Sequence, residues 1–516
     1  MPSATPARSV RLAELVAVLS LGTDLGLGQP MEHVLRQSLI ALRLAERLGL
    51  DESERLVVYY CGLVAWVGCH VDAYEQAKWF GDDLALKGDA HRVDRTGPAF
   101  VLSHLGAGRP RLERVRLGFA FLGAGRRAAA EMLANHWLAT DALAARLNLG
   151  EEVRANLEQT FERWDGKGAP AGRKAEEILV PARLVNLADV VEVYHRAEGV
   201  AAATAVARER SGTQFDPALV QVFCEEASAV CGDLDSATSW EAVIAAEPGD
   251  KVWIDDAELD AALEAIAEFA DLKSPWTIGH SRGVAELAAA AAGGYGLPEG
   301  DVVMLRRAGL VHDLGRLGVS NAIWDKRQAL TLAELERVRL HPYLTERMLA
   351  PSAVLAPLGA IAVQHHERLD GSGYPRGLSG AAITPAGRIL GAADAYQAMI
   401  EPRPHRPARS SEEAATALRV EVAAGRLDGD AVDAVLHAAG HRVKRRREGP
   451  AGLTPREVEV LRLVALGFSN REIAEQLVIT PKTAANHVEH IYAKTGASNR
   501  ARAGLFAVQH GLMAER

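Results

Sequence analysis

Residues 280–315 begin "HSRGVAELAAAAAGGYGL" and end "RRAGLVHDLG", and the chain carries an earlier version: residues 33–68 begin "HVLRQSLIALRLAERLGL" and end "YYCGLVAWVG". The two lie in register without gaps at an offset of 247, with His33 on His280. Farther on, "NHWL", "FERWDGKGAP" and "LADVVEV" (within 135–193) fall on "LHPYL", "HERLDGSGYP" and "AADAYQA" at an offset of 205. That register pairs His136 with His341, Asp165 with Asp370 and Asp189 with Asp394. The first copy therefore holds 42 extra residues between Gly68 and His136. Self-similarity on this scale sets the domain plan before any motif is considered.

Both copies read as helical. Apolar residues recur every three or four positions in Asp256–Leu272, His280–Ala291 and Leu332–Leu349, and strand-like alternation is scarce. Aromatics are 5% of the 516 residues against 48% hydrophobic overall, so the cores must be built from Ala, Leu and Val, which argues against an all-β fold. The expected class is all-α: two tandem helical domains and a small C-terminal one. Breaks in composition at "AAEPGDKVW" (245–253) and "HRVKRRREGPAG" (441–452) place the domains at 1–245, 246–440 and 452–516, with a basic linker at 441–451. The four cysteines show no C-x-x-C spacing, which excludes a zinc finger and fits a reducing compartment. Glu14 interrupts the apolar run Leu12–Leu21, and Ala288–Ala292 is far short of the ~20 residues a membrane span needs. The expectation is a cytoplasmic protein with no membrane partner.

The second copy concentrates metal-binding side chains: His280, the pair His312–Asp313, His341, the pair His365–His366, and Asp394. Mixed imidazole and carboxylate donors suit Fe, Mn or Zn rather than Mg or Ca. Seven donors exceed one tetrahedral ion and match two ions sharing a carboxylate, an arrangement that serves phosphoryl displacement. A lone histidine is more often a cap or core residue, but here the first copy is an internal control. It has Ala65–Trp66 in place of His312–Asp313 and Thr160–Phe161 in place of His365–His366, so the fold does not require these residues. Having kept only His33, His136 and Asp189, the first copy is expected to be a regulatory or dimerising domain.

The segments "SPWTIGHSRGVAEL", "HDLGRLGVS", "LHPYLTERML", "HHERLDGSGYP" and "AADAYQAM" resemble the successive motifs of the HD-GYP family of HD metal-dependent phosphohydrolases, over about 256–425. The resemblance implies hydrolysis of cyclic di-GMP or a related cyclic dinucleotide with two divalent ions, Fe or Mn first and Zn after them. It assigns His280, His312, Asp313 and Asp394 to one ion and His341, His365 and His366 to the other, with Asp313 bridging. Asp313 and Arg316 would be catalytic, and Arg316, Gly373, Tyr374, Pro375, Arg403 and Arg406 would contact substrate. Two positions depart from the family pattern. Arg316 replaces the usual Lys of HDxGK and differs from it in shape and basicity. Trp276 stands where some members place a Glu for a third metal, so two ions are expected. The loop 370–375 is expected to need positive φ at Gly371 and Gly373. Because the first copy retains the glycines but has Ala169 for Tyr374, the glycines are read as serving the fold and Tyr374 the ligand.

Residues 441–516 carry 13 Lys/Arg against 7 Asp/Glu in a chain of net charge −9, which points to a polyanionic partner. Three helix starts follow closely: Thr454 with Pro455 and Glu457, Ser469 with Glu472, and Thr480 with Pro481. Gly467 and Gly496 end the first and third helices. Val458, Leu461, Ile473, Leu477, Val488 and Ile491 would face inward in a helix-turn-helix. The tail resembles the LuxR-type DNA-binding domain, with Pro481–Lys494 as recognition helix and Thr480, Lys482, Thr483, Asn486, His487 and Lys494 as contacts to double-stranded DNA. Ala485 and Glu489 replace common basic residues there, and Lys444 and Arg445–Arg447 of the linker are candidates to restore charge. Such domains act on paired half-sites, which implies a homodimer. The expected protein is a transcriptional regulator with a hydrolytic nucleotide site; the alternative is a catalytically silent ligand-sensing transcription factor.

Overall fold

The computed structural model describes residues 10–90, 98–235, 239–442, 450–477 and 479–513. The chain forms two compact units, Met1–His441 and Arg442–Arg516. Both are helical, and among the described residues the strands amount to one antiparallel pair, Val10–Arg11 with Trp253–Ile254. That pair ties the start of the first copy to the start of the second. No single helix among the described residues is long and apolar enough to cross a membrane. The four cysteines are free thiols.

Helix boundaries follow the repeat. His33–Arg47 and Glu52–Val64 match His280–Tyr295 and Glu299–Val311 at offset 247, and Val180–Glu198 matches Pro385–Ile400 at offset 205. Backbone detail repeats too. Glu32 and Gly279, each immediately before its helix, are left-handed at φ 81° and 80°. Asp24 accepts the Val34 amide at 2.9 Å, and Asp271 accepts the Ser281 amide at 3.0 Å, so a buried acid starts the His-bearing helix in both copies.

The segment Leu332–Leu349 is two helices, Leu332–Arg339 and His341–Leu349. Pro342 has no amide hydrogen to donate and crowds the preceding turn, so the helix restarts there. This break sets His341 at a helix start, facing the other histidines.

The copies share one continuous core, from Leu15, Leu35 and Leu187 to Ile266, Leu310 and Met348. Their contact is reciprocal. His70 Nε2 of the first copy donates to the Phe269 carbonyl, 2.8 Å away, while Leu317 of the second, which matches His70, closes over Gly22, which matches Phe269. Such a contact is that of a two-fold pair joined within one chain. The extra residues of the first copy form Ala73–Phe80, Asp83–Asp89, Pro98–His104 and the outer part of the 36-residue helix Arg111–Arg146.

In the C-terminal unit, Thr454 and Glu457 form the expected capping box, Glu472 and Ser469 exchange a second pair of bonds, and Thr480 caps Pro481–Thr495. Gly467 and Gly496 are left-handed, at φ 91° and 68°. Leu461, Ile473, Val488 and Ile491 are buried, with Val458 and Leu477 packed at the margin. A fourth helix, Arg500–Gln509, was not expected; Asn499 caps it, and Ala503 and Ala507 complete the core.

Candidate metal centre

The seven predicted donors converge. His280 starts one helix, His312–Asp313 follow the end of Glu299–Val311, His341 starts another helix, His365–His366 follow Ala356–Ala362, and Asp394 lies within Pro385–Ile400. The carboxylate of Asp313 divides them. Its Oδ1 faces His341 Nε2 at 3.3 Å and His365 Nε2 at 3.8 Å, while its Oδ2 faces His312 Nε2 at 3.6 Å and His280 Nε2 at 3.8 Å. Asp394 Oδ1 lies 3.3 Å from His280 Nε2, and its Oδ2 lies 3.9 Å from His366 Nδ1. Two of the compact donor sets are therefore His280–His312–Asp394 and His341–His365–His366, with Asp313 between them.

Hydrogen bonds at the outer ring nitrogens orient the donors. Nδ1 of His312, His341 and His365 bonds the carbonyl three residues earlier, at 2.8, 2.6 and 2.6 Å, leaving each Nε2 lone pair directed inward. His280 differs: its Nδ1 is 2.9 Å from Glu401 Oε2, which also accepts from Arg403 at 2.9 Å, while Gln397 donates to Oε1 at 2.8 Å. His312 Nε2 is buried and has no hydrogen-bond partner. An inward lone pair left unmatched in a buried site fits a cation, as does the donor chemistry around it.

Electrostatics agree. Burial lowers the His365 pKa to about 3, so its ring is neutral and able to ligate. Burial would raise the Asp313 pKa, but His312, Arg316 and His341 together hold it well below the usual carboxylate range. His280 is the exception: burial opposes its charge, yet Asp394 and Glu401 raise its pKa to about 9, so an ion bound there would have to displace a proton from the ring.

The rim is formed by Arg316, His366 and Tyr374. Arg316 donates to Asp313 Oδ2 at 2.9 Å, and its guanidinium lies 3.9 Å from the Trp324 ring centroid. Tyr374 lies against His366 with centroids 4.7 Å apart. In the loop below, Gly371 is left-handed at φ 82°, but Gly373 is not: glycine is needed there because a Cβ would lie 2.4 Å from the Arg368 amide nitrogen. Glu367, buried, accepts the Arg376 and Leu378 amides and so braces this loop. Pro375 follows a cis bond, as does Pro170 in the first copy. Arg403 reaches the centre through Glu401 and the Trp276 carbonyl. Arg406 is not brought to the site; it spends its donors on the carbonyls of Ala398, Met399, Glu401 and Pro407, closing the end of the Asp394 helix.

The first copy fills the equivalent space. Trp66 and Phe161, in place of Asp313 and His366, meet edge to face at 5.4 Å, and Trp66 Nε1 donates to Gln37 at 3.0 Å. His33 pairs with Glu192 and Asp189, and Arg36 also bonds Glu192. His136 Nε2 lies 3.3 Å from the Ala65 carbonyl. Among the described residues, all three compact donor sets lie in the second copy.

Sequence reasoning missed Glu401 and Trp324. The signal for Glu401 was an acid beside the basic "RPHR" segment; Trp324 had none, because its role depends on a turn.

In the C-terminal unit, Lys482 and Asn486 are exposed on the helix Pro481–Thr495, Thr483 and His487 partly so. The Thr480 hydroxyl is engaged at the helix start with Thr483. Lys494 pairs with Glu457 at 2.8 Å and the Gly452 carbonyl at 3.2 Å, so a phosphate would have to compete for it. Lys444 and Arg445–Arg447 lie outside the described residues.

This fold and centre define an HD-type phosphohydrolase, and comparison with known proteins gives the same class. Residues 264–431 match the HD domain family, and 451–507 match the luxR family of bacterial regulatory proteins. The chain is 32% identical over 413 residues to 3′3′-cGAMP-specific phosphodiesterase 3 of Vibrio cholerae serotype O1, covering 78% of this chain and 89% of that protein. It is 36% identical over 154 residues to a cyclic di-GMP phosphodiesterase of Thermotoga maritima, covering 30% and 41%. A crystal structure of a cyclic GMP-AMP-specific phosphodiesterase of V. cholerae superposes with a TM-score of 0.60 at 27% identity, over 84% of this chain and 99% of that one. The chain belongs to the HD-GYP branch of the metal-dependent HD phosphodiesterases and carries a C-terminal luxR-family domain.

Proposed function

We propose that the second copy hydrolyses a 3′–5′ phosphodiester of a cyclic dinucleotide and that the C-terminal unit lets the same chain act on transcription. The observation that carries this reading is Asp313, whose two oxygens face separate donor sets. The 3′3′-cGAMP-specific relative matches over most of both chains, so 3′3′-cGAMP is the first substrate to test and cyclic di-GMP the second.

His280, His312 and Asp394 would hold one ion, His341, His365 and His366 the other, and Asp313 both; Fe or Mn suits this donor set. When bound, the ions supply activation of the attacking water and neutralisation of charge on the phosphoryl oxygens. The chain's own residues do the rest. Arg316 stands at the rim with its guanidinium fixed by Asp313 and Trp324, where it offsets charge developing at phosphorus. Tyr374 offers a flat face beside His366 on which a base can lie. Glu401 keeps the His280 lone pair directed inward.

The first copy is proposed as a domain without metal, at about 1–245, abutting the hydrolase domain at 246–440. The chain is proposed to bind double-stranded DNA through Lys482, Thr483, Asn486 and His487 as a homodimer. A silent sensor is the second reading, favoured by Arg316 in place of the family's Lys. Anaerobically purified protein should contain two equivalents of metal and convert 3′3′-cGAMP to linear product, with Asp313→Ala abolishing turnover. Tight binding without product would favour the sensor.

A further inference from the structure

The first copy's insertion reaches the second copy's reaction centre through one buried carboxylate. Asp83, in the first turn of Asp83–Asp89, is fully buried. Its Oδ1 accepts the Ser320 hydroxyl at 2.7 Å and the Asn321 amide at 2.8 Å. Its Oδ2 lies 3.5 Å from both Lys87 and Lys273. Asn321 in turn donates to the Lys273 carbonyl at 2.7 Å and to Asp325 at 2.9 Å, and Ser320 caps the turn Asn321–Trp324. At the end of that turn, Trp324 Nε1 donates to the Arg316 carbonyl at 3.3 Å, and the indole lies against the Arg316 guanidinium. Asp313, Arg316, Asn321 and Trp324 line one small cavity beside the donor cluster.

Arg316 is thus supported from two sides, by Asp313 and by the Trp324 face. Asp313 is the group that bound ions would claim, which leaves Trp324 as the remaining support. A planar guanidinium stacks on an aromatic face where a lysine ammonium would have only a point charge to offer, so the Arg at this position and the Trp beneath it form a matched pair. We infer that Asp83 of the first copy is a positioning residue for Arg316 of the second, acting through the turn Ser320–Trp324. The first copy, which lacks the donor cluster, thereby completes the centre of its sibling. This rests on the phosphodiesterase reading.

The test uses the full chain, metal-loaded, with 3′3′-cGAMP and the generic diester bis(p-nitrophenyl) phosphate. Asp83→Ala should lower kcat about 10- to 100-fold, the scale of a misplaced reacting group, with KM within about twofold. Arg316→Ala should cost at least as much, and the double variant no more than Arg316→Ala alone. Independent, multiplying losses would overturn the inference. Because Asp83→Ala also strands two lysines, Trp324→Ala breaks the same link without touching a buried charge; it should show the same non-additivity with Arg316→Ala, and Trp324→Phe, which keeps a flat face, should recover most of the rate. Hydrogen exchange on metal-free protein reads the link without turnover: Asp83→Ala should speed exchange across 314–325 and leave 362–370 unchanged. Unaltered exchange in 314–325 overturns the inference even if the wild type is inactive, whereas inactivity on both diesters overturns only the phosphodiesterase reading.

Discussion

Replacing Glu401 should loosen one metal position and spare the other. Of His280, His312, His341 and His365, His280 alone takes its orientation from an acidic side chain; the other three use carbonyls of their own turns. Truncating Glu401 to Ala removes a charged acceptor 2.9 Å from a buried ring nitrogen. A hydrogen bond to a charged group is worth roughly 1.5–3 kcal/mol. Losing the partner that orients a ligating histidine typically costs 10–100-fold in metal affinity, or about 1.4–2.7 kcal/mol. The two estimates coincide, so Glu401→Ala should weaken the ion held by His280, His312 and Asp394 about 10- to 100-fold. Glu401→Gln keeps an acceptor oxygen, and a neutral hydrogen bond is worth about 1 kcal/mol, so its loss should stay under about tenfold. Anaerobic titration against a competing chelator would resolve two binding steps in the wild type, with one moved and one unmoved in the variants. Equal weakening of both steps, or of neither, would refute the assignment of Glu401 to a single ion.

Gly373→Ala and Gly168→Ala form a matched pair: both place a Cβ 2.4 Å from a backbone nitrogen and should destabilise by about 1–3 kcal/mol, but only the first sits beside Tyr374, so only it should also reduce kcat. His33 is buried, which disfavours its charge, yet Glu192 and Asp189 raise its pKa to about 10. Its folded-state value exceeds the unfolded one, so this stabilisation is complete below about pH 6.5 and lost as pH rises through 10. His33→Gln should flatten that alkaline decline in melting temperature; Asp24, which burial raises to about 8, adds a separate decline at lower pH that should remain. An unchanged slope above pH 8 would refute the role of His33. On DNA, Lys482→Ala should reduce the salt dependence of affinity by about one ion. Lys494→Gln should instead lower the melting temperature of the C-terminal unit, because Lys494 pairs with Glu457.

Much of the centre was legible because the first copy served as a control within the chain. Residues present in one copy and lost from the other, such as His312–Asp313 against Ala65–Trp66, marked chemistry; those kept in both, such as Gly168 and Gly373, marked the fold. The glycine reading was right in kind but not in cause for Gly373, since close approach to backbone depends on a chain reversal that local sequence does not disclose. Arg406 was misjudged for a related reason: a guanidinium near the site can serve a phosphate or a helix end, and only the position of the carbonyls decides.

Sequence alone marked out the repeat, the helical class, the side chains that converge at the candidate centre and the caps of the C-terminal helices, because these follow from periodicity, composition and spacing along the chain. Tertiary structure decided which Asp313 oxygen faces which histidines, that Trp66 and Phe161 fill the first copy's space, and that Asp83 lies against the turn bearing Trp324. These depend on how segments distant in sequence pack, the first two within one copy and the third between the two, and no local pattern encodes them.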